Sequence, residues 1–243
     1  MIEDRPLPFK RLLLIALLTA LAAPAQALRF EILSGGPQPP SAQDNLALID
    51  LNKDELVIGE SIDTSTSQTA AVAYTFDEGA DQYVPMSVPA PVGAVDSTAT
   101  GINDANDEQK ITGWYTDAGG LKHAIFWVHS NGSVSGPTEL PDPSGLGAWA
   151  NDVNANSTIV GASTQLSNNL PGPVYWQEVT DDAQNTTWQA FTLPISNINA
   201  DYVENGDVDG EGGEAIAMES SVIFGYVTAA TGNIALATPP VPS

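Results

Sequence analysis

Short apolar runs, bounded by Gly, Asn, Asp, Ser and Pro, recur along most of this chain. "AAVAYTF" ends near Phe76, "HAIFWV" near Val128 and "GPVYW" at Trp176. Each follows by about 15 residues a glycine: Gly59, Gly113 and Gly161. A fourth run, "GNIALA", ends at Ala237 behind Gly225. Runs this short with such punctuation predict strands. No stretch beyond the N-terminal segment keeps a helical apolar period, and 18 prolines with 21 glycines oppose long helices.

The runs belong to a larger period. "DLNKDELVIG", "DANDEQKITG" and "DVNANSTIVG" share Asp, a gap of one, Asn, a gap of six, then Gly. Their asparagines, Asn52, Asn106 and Asn154, are 54 and 48 residues apart, and "GIND" at Gly101–Asp104 competes with Asn106 as the anchor. A degenerate copy, "IAMESSVIFG", puts Met218 in the Asn position. Each unit reads as four strands, in the second "STATGIN", "KITGWYT", "KHAIFWV" and "SVSGPTEL". Periods near 50 with four short antiparallel strands are those of propeller blades. The expected fold is all-β, a small propeller of about four four-stranded blades, with repeats near 44–97, 98–146, 147–210 and 211–243. A sandwich of some sixteen strands is the alternative, but it gives no reason for repetition.

The N-terminus changes the picture of where the chain works. Lys10 and Arg11, an apolar run from Leu12 to about Ala22 and the small-residue site Ala25-Gln26-Ala27 have the layout of a signal peptide, so 1–27 is expected to be removed and 28–243 to form one exported domain. Without cysteine, neither a disulfide framework nor a lipid-modified Cys is available. The full chain has 30 acidic and 7 basic residues, and only Arg29, Lys53, Lys110 and Lys122 remain basic after residue 27. Such a surface repels nucleic acid and anionic lipid, so neither nucleic-acid binding nor membrane insertion of the mature chain is expected. The expected location is the periplasm, the cell surface or the medium.

"DVNANSTIVGAS" and "GGLKHAIFWVHSNGSV" resemble the HAF repeat of bacterial extracellular proteins. Val153, Asn154, Ile159, Val160 and Gly161 match its first half; His123, Ala124 and Trp127 match its second, with Ile125 and Phe126 as the apolar pair. Only the second repeat carries the His; the third has Gly-Pro at that place. The resemblance implies export and repeat architecture, and no activity. "DLNKDELVIG" also resembles the FG-GAP blades of integrin-type propellers, whose loops hold calcium, although Glu55 stands where those have Gly.

Candidate chemistry is sparse. Asp50, Asn52 and Asp54 offer oxygens at alternate loop positions, as calcium requires, yet a hairpin corner favours the same residues for its own hydrogen bonds. The later copies weaken to Asp104/Asn106/Glu108 and Asp152/Asn154/Asn156, which favours the corner. "NGDVDGEGGE" is the better calcium candidate: Asn205, Asp207 and Asp209 follow the first half of an EF-hand loop and Glu211 or Glu214 is expected to complete the shell, whereas position twelve is Ile216. His123 and His129 are too far apart on one strand to share a metal. The five tryptophans fit an inter-blade core better than sugar platforms. No nucleophile elbow, zinc-protease motif or phosphate loop appears. The expected role is therefore a non-enzymatic binding module for an extracellular protein or glycan. The alternatives are a carbohydrate-active hydrolase with an acidic pair and a calcium-stabilised unit of an extracellular assembly. The ring is expected to close through the mature N-terminal strand, Arg29–Leu33, pairing near Asn233–Leu236.

Overall fold

The computed structural model describes residues 37–41, 44–105, 108–166, 169–181 and 183–193, and the backbone of 212–219, 222–229 and 232–238. These residues are all-β, without a helix. The first sheet holds β1 (Asp44–Leu51), β2 (Val57–Asp63), β3 (Thr69–Asp77) and β4 (Gln82–Met86). The second holds β5 (Ala94–Ile102), β6 (Gln109–Asp117), β7 (Lys122–Ser130) and β8 (Ser133–Glu139). The third holds β9 (Ala148–Val153), β10 (Ile159–Thr164), β11 (Pro171–Thr180) and β12 (Thr186–Thr192). The last is three-stranded: β13 (Gly212–Glu219), β14 (Val222–Ala229) and β15 (Gly232–Thr238). Every sheet is an antiparallel meander in sequence order, and none closes on itself.

One device repeats in all four sheets. The first strand bulges by one residue opposite the glycine of the second, the extra residues being Ile49, Thr100, Asn151 and Ile216. The glycine has a steric cause. A Cβ on Gly59, Gly113 or Gly161 would lie 2.0 Å from the carbonyl oxygen of Ala47, Thr98 or Trp149 respectively. Glycine in a strand often marks such a close approach at a bulge. The two residues before each of these glycines are buried: Val57 and Ile58, Ile111 and Thr112, Ile159 and Val160.

Packing runs from each sheet to its successor through the successor's first strand: β5 lies on β1–β3, β9 on β5–β7 and β13 on β9–β11. Leu56, Ile58 and Ala73 of the first sheet meet Ala99, Ile111, Ile125 and Trp127 of the second. Ala124, Phe126 and Leu140 meet Ala148, Ala150, Val153, Ile159 and Trp176 in the same way. Small residues at 99, 148 and 150 let the first strands approach. The sheet-to-sheet contacts thus carry the two larger core clusters, while Val57, Val72 and Tyr74 form a smaller one within the first sheet, flanked by Leu46, Leu48, Leu51 and Tyr83.

The bulges also correct the sequence anchors. They are 51 residues apart between the first three sheets, and three residues beyond each lies Asn52, Asn103 or Asn154. Asn103, not Asn106, is thus the equivalent in the second sheet, whose β5–β6 connection is longer. In the fourth sheet the same register position falls on Glu219, not Met218. The expected closing strand, 29–33, lies outside the described residues, as does the calcium candidate Asn205, Asp207, Asp209 and Glu211.

Candidate functional site

The repeated asparagines form a line across the sheets. Asn52 Nδ2 donates to the Asn103 carbonyl at 3.3 Å, and Asn103 Nδ2 donates to the Asn154 carbonyl at 3.2 Å. Each side-chain oxygen serves its own corner: Asn52 accepts from the Asp54 and Leu56 amides, Asn103 from Lys110, and Asn154 from Asn156 and Thr158. All three asparagines are buried. A side chain with both ends committed to backbone, as in Asn52 and Asn103, is a stitch between sheets.

The neighbouring carboxylates behave alike. Asp50 accepts from the Leu51 amide at 2.8 Å and, across the interface, from Ile102 at 3.0 Å. Burial nevertheless raises its pKa, with Asp104 adding to the effect and the two amides opposing it. Asp54 accepts from Gln109 Nε2. Gln109 Oε1 in turn accepts from His129 Nδ1 at 2.8 Å, and burial holds His129 below the usual histidine range against the pull of Asp54.

Five aspartates are spent on corners. Asp63, Asp77, Asp117, Asp142 and Asp181 each accept backbone amides two to five residues ahead. These are Asx turns, the use of short polar side chains that fixes a hairpin reversal. Asp142 is the most heavily used. Its two oxygens accept from the Ser144 and Gly147 amides and from the Ser144 and Ser163 hydroxyls, at 2.7–3.0 Å. Burial would raise its pKa, but those donors outweigh burial and lower it.

Aromatic residues pin the connections. Trp127 and Trp176 are fully buried, and their indole nitrogens donate to the carbonyls of Pro89 at 2.9 Å and Pro141 at 2.8 Å. Tyr74, at the same register position of the first sheet, donates its hydroxyl to Gln38 at 2.6 Å. In each case the third strand holds the segment leading into its own sheet. Burial, with Asp44 nearby, pushes the Tyr74 hydroxyl up to about 12. The other tryptophans are engaged too. Lys122 Nζ lies 4.0 Å from the Trp114 ring centroid and 5.3 Å from that of Trp149, while Trp188 packs on Phe126 at 5.0 Å beneath Lys110.

His123 is the most polar junction. Its Nδ1 lies 2.8 Å from Glu139 Oε1 and its Nε2 3.3 Å from Asp117 Oδ2, and the ring stacks on Tyr115 at 4.5 Å. The two carboxylates sit on opposite ring nitrogens, so they do not converge on one point. Among the described residues no group of three or more His, Asp or Glu side chains is placed to hold a metal. The spacing of His123 and His129 signalled neither arrangement, because the partners come from other strands.

An open cleft of about 480 Å³ lies at the β10–β11 corner of the third sheet. Pro143, Leu166, Val174 and Leu193 give it apolar walls, and Ser144, Ser163, Thr164, Gln165 and Thr192 give it hydroxyl and amide groups. Its described lining carries no ionisable side chain. The Ser163 hydroxyl on this lining donates to Asp142 at 2.7 Å. The chain matches no known family model, and no curated protein shows significant sequence similarity to it.

Proposed function

We propose that this chain is an exported, non-enzymatic binding module of the HAF-repeat type, folded as a small propeller of about four blades. The observation that carries the functional reading is the commitment of its ionisable and amide side chains. Asn52, Asn103, Asp50, Asp117, Asp142 and His123 are all engaged by backbone or neighbouring side chains, while the described lining of the β10–β11 cleft is uncharged. The serial packing of each first strand on the sheet before it supports the propeller.

The ligand class is an extracellular protein or a glycan, and calcium bound by Asn205, Asp207, Asp209 and Glu211 would stabilise the module without taking part in any reaction. The test is a paired screen of a glycan array for binding and a glycoside panel for turnover. Binding without turnover, weakened by Leu166→Glu in the cleft, is expected. Turnover abolished by Glu139→Gln or Asp117→Asn would make the chain a hydrolase with an acidic pair.

A further inference from the structure

His123 stands between two acceptors. Glu139 comes from the end of β8, Asp117 from the end of β6, and each faces a different ring nitrogen at 2.8 Å and 3.3 Å. A neutral imidazole carries one N–H and one lone pair, so it satisfies only one of two carboxylates and turns its lone pair on the other. The arrangement is complete only when both nitrogens carry protons. Tyr115 stacks on the ring and donates its hydroxyl to Glu139 Oε2 at 3.4 Å, so the groups facing the imidazole are two acids and a phenol. Lys122, the neighbouring cation, is held by the Trp114 ring.

The position of the junction gives it a consequence. Glu139 is the last residue of β8, the outer strand of the second sheet. The next amide, Leu140, donates to Ala124 at 2.8 Å, and the next carbonyl, Pro141, receives the Trp176 indole of the third sheet. The connection between the two sheets therefore departs from the residue that His123 holds.

We propose that Asp117, His123 and Glu139 form a proton-operated latch, closed when the imidazole carries two protons and released when it loses one, which ties the outer strand and the departing connection to the second sheet. The direction agrees with the His123 environment: partial burial disfavours the charged ring, but Glu139 and Asp117 outweigh it and raise its pKa. The latch contributes stability while the ring is doubly protonated and both carboxylates are ionised, and loses it as pH rises through the raised value.

Amide-resolved hydrogen exchange on the full chain tests this, with protection corrected for intrinsic rates from about pH 5.5 to about pH 8.5. The Leu140 amide should lose protection several-fold over that range in the wild type, while the mid-strand pair Ile111–Trp127 stays level. His123→Phe, which keeps a ring against Tyr115, should start unprotected at Leu140 and show no such change. Glu139→Gln should move the transition to lower pH, and ring ¹⁵N shifts should report two protonated nitrogens at about pH 6. Equal pH responses of Leu140 in the wild type and His123→Phe, or a singly protonated ring at that pH, would overturn the proposal.

Discussion

Asn52 and Asn103 occupy the same place in successive sheets, and the side-chain amide of the first reaches the backbone carbonyl of the second at 3.3 Å. Asn103 repeats the contact onto Asn154, so one residue type at one register position joins three sheets. Asparagine suits the place because it is donor and acceptor at once. Its oxygen closes the local corner while its nitrogen crosses the interface.

Asn103→Ala should therefore remove two buried interactions together, leaving the Lys110 amide and the Asn154 carbonyl without this partner. The expected loss is about 2–4 kcal/mol of unfolding free energy, read from urea denaturation. Asn103→Asp should be no better, since a carboxylate would face the Asn154 carbonyl. An Asn103→Ala variant as stable as the parent would remove the stitch from the account.

Gly113→Ala should cost at least about 2 kcal/mol, because the added methyl would lie 2.0 Å from the Thr98 carbonyl and only backbone movement relieves that contact. Gly120→Ala provides the comparison. That residue has φ +83° and nothing within 4 Å of the place a Cβ would occupy, so only backbone strain of about 1 kcal/mol opposes it. Thermal melts of both variants should rank them in that order.

Part of this architecture is legible in the sequence. A periodically spaced glycine marks the second strand of each sheet, because a bulge clash leaves a periodic trace. Trp127 and Trp176 fit the core by their strand positions, and both are fully buried. The asparagine anchor of the second sheet is harder to place, since the Asp-x-Asn frame points to Asn106 while the longer β5–β6 connection carries the contact at Asn103. The His123 junction leaves no sequence signal. Glu139 and Asp117 lie 16 and 6 residues away and meet the ring only through strand pairing.

Trp127→Phe should retain most of the buried ring and lose the indole bond to Pro89. A loss of about 1–3 kcal/mol is expected for the unsatisfied carbonyl, together with faster hydrogen exchange in the segment entering β5. A loss confined to packing, with no change in that segment, would show that the indole bond does not hold the connection.

Asp142 gives the acid limb a defined sign. Its folded pKa is lowered, so its contribution is present above the ordinary aspartate range and is lost as pH falls through the depressed folded value. The stability gap between wild type and Asp142→Asn should be widest near neutral pH and should shrink on acidification. Chemical denaturation at about pH 6 and about pH 3 measures it, and a gap that grows on acidification would reverse the assignment.

The claim that the sheets are blades around one axis is tested most directly by distances between them. The chain has no cysteine, so pairs of introduced cysteines can carry spin labels without background. Gln68, Ala118, Leu166 and Asn233 lie at or beside the second-to-third-strand turn of successive sheets. In a four-bladed ring the Gln68–Asn233 distance should be close to the Gln68–Ala118 distance, and both should be shorter than Gln68–Leu166. A Gln68–Asn233 distance that is the longest of the three would contradict the ring and make the sheets an open array.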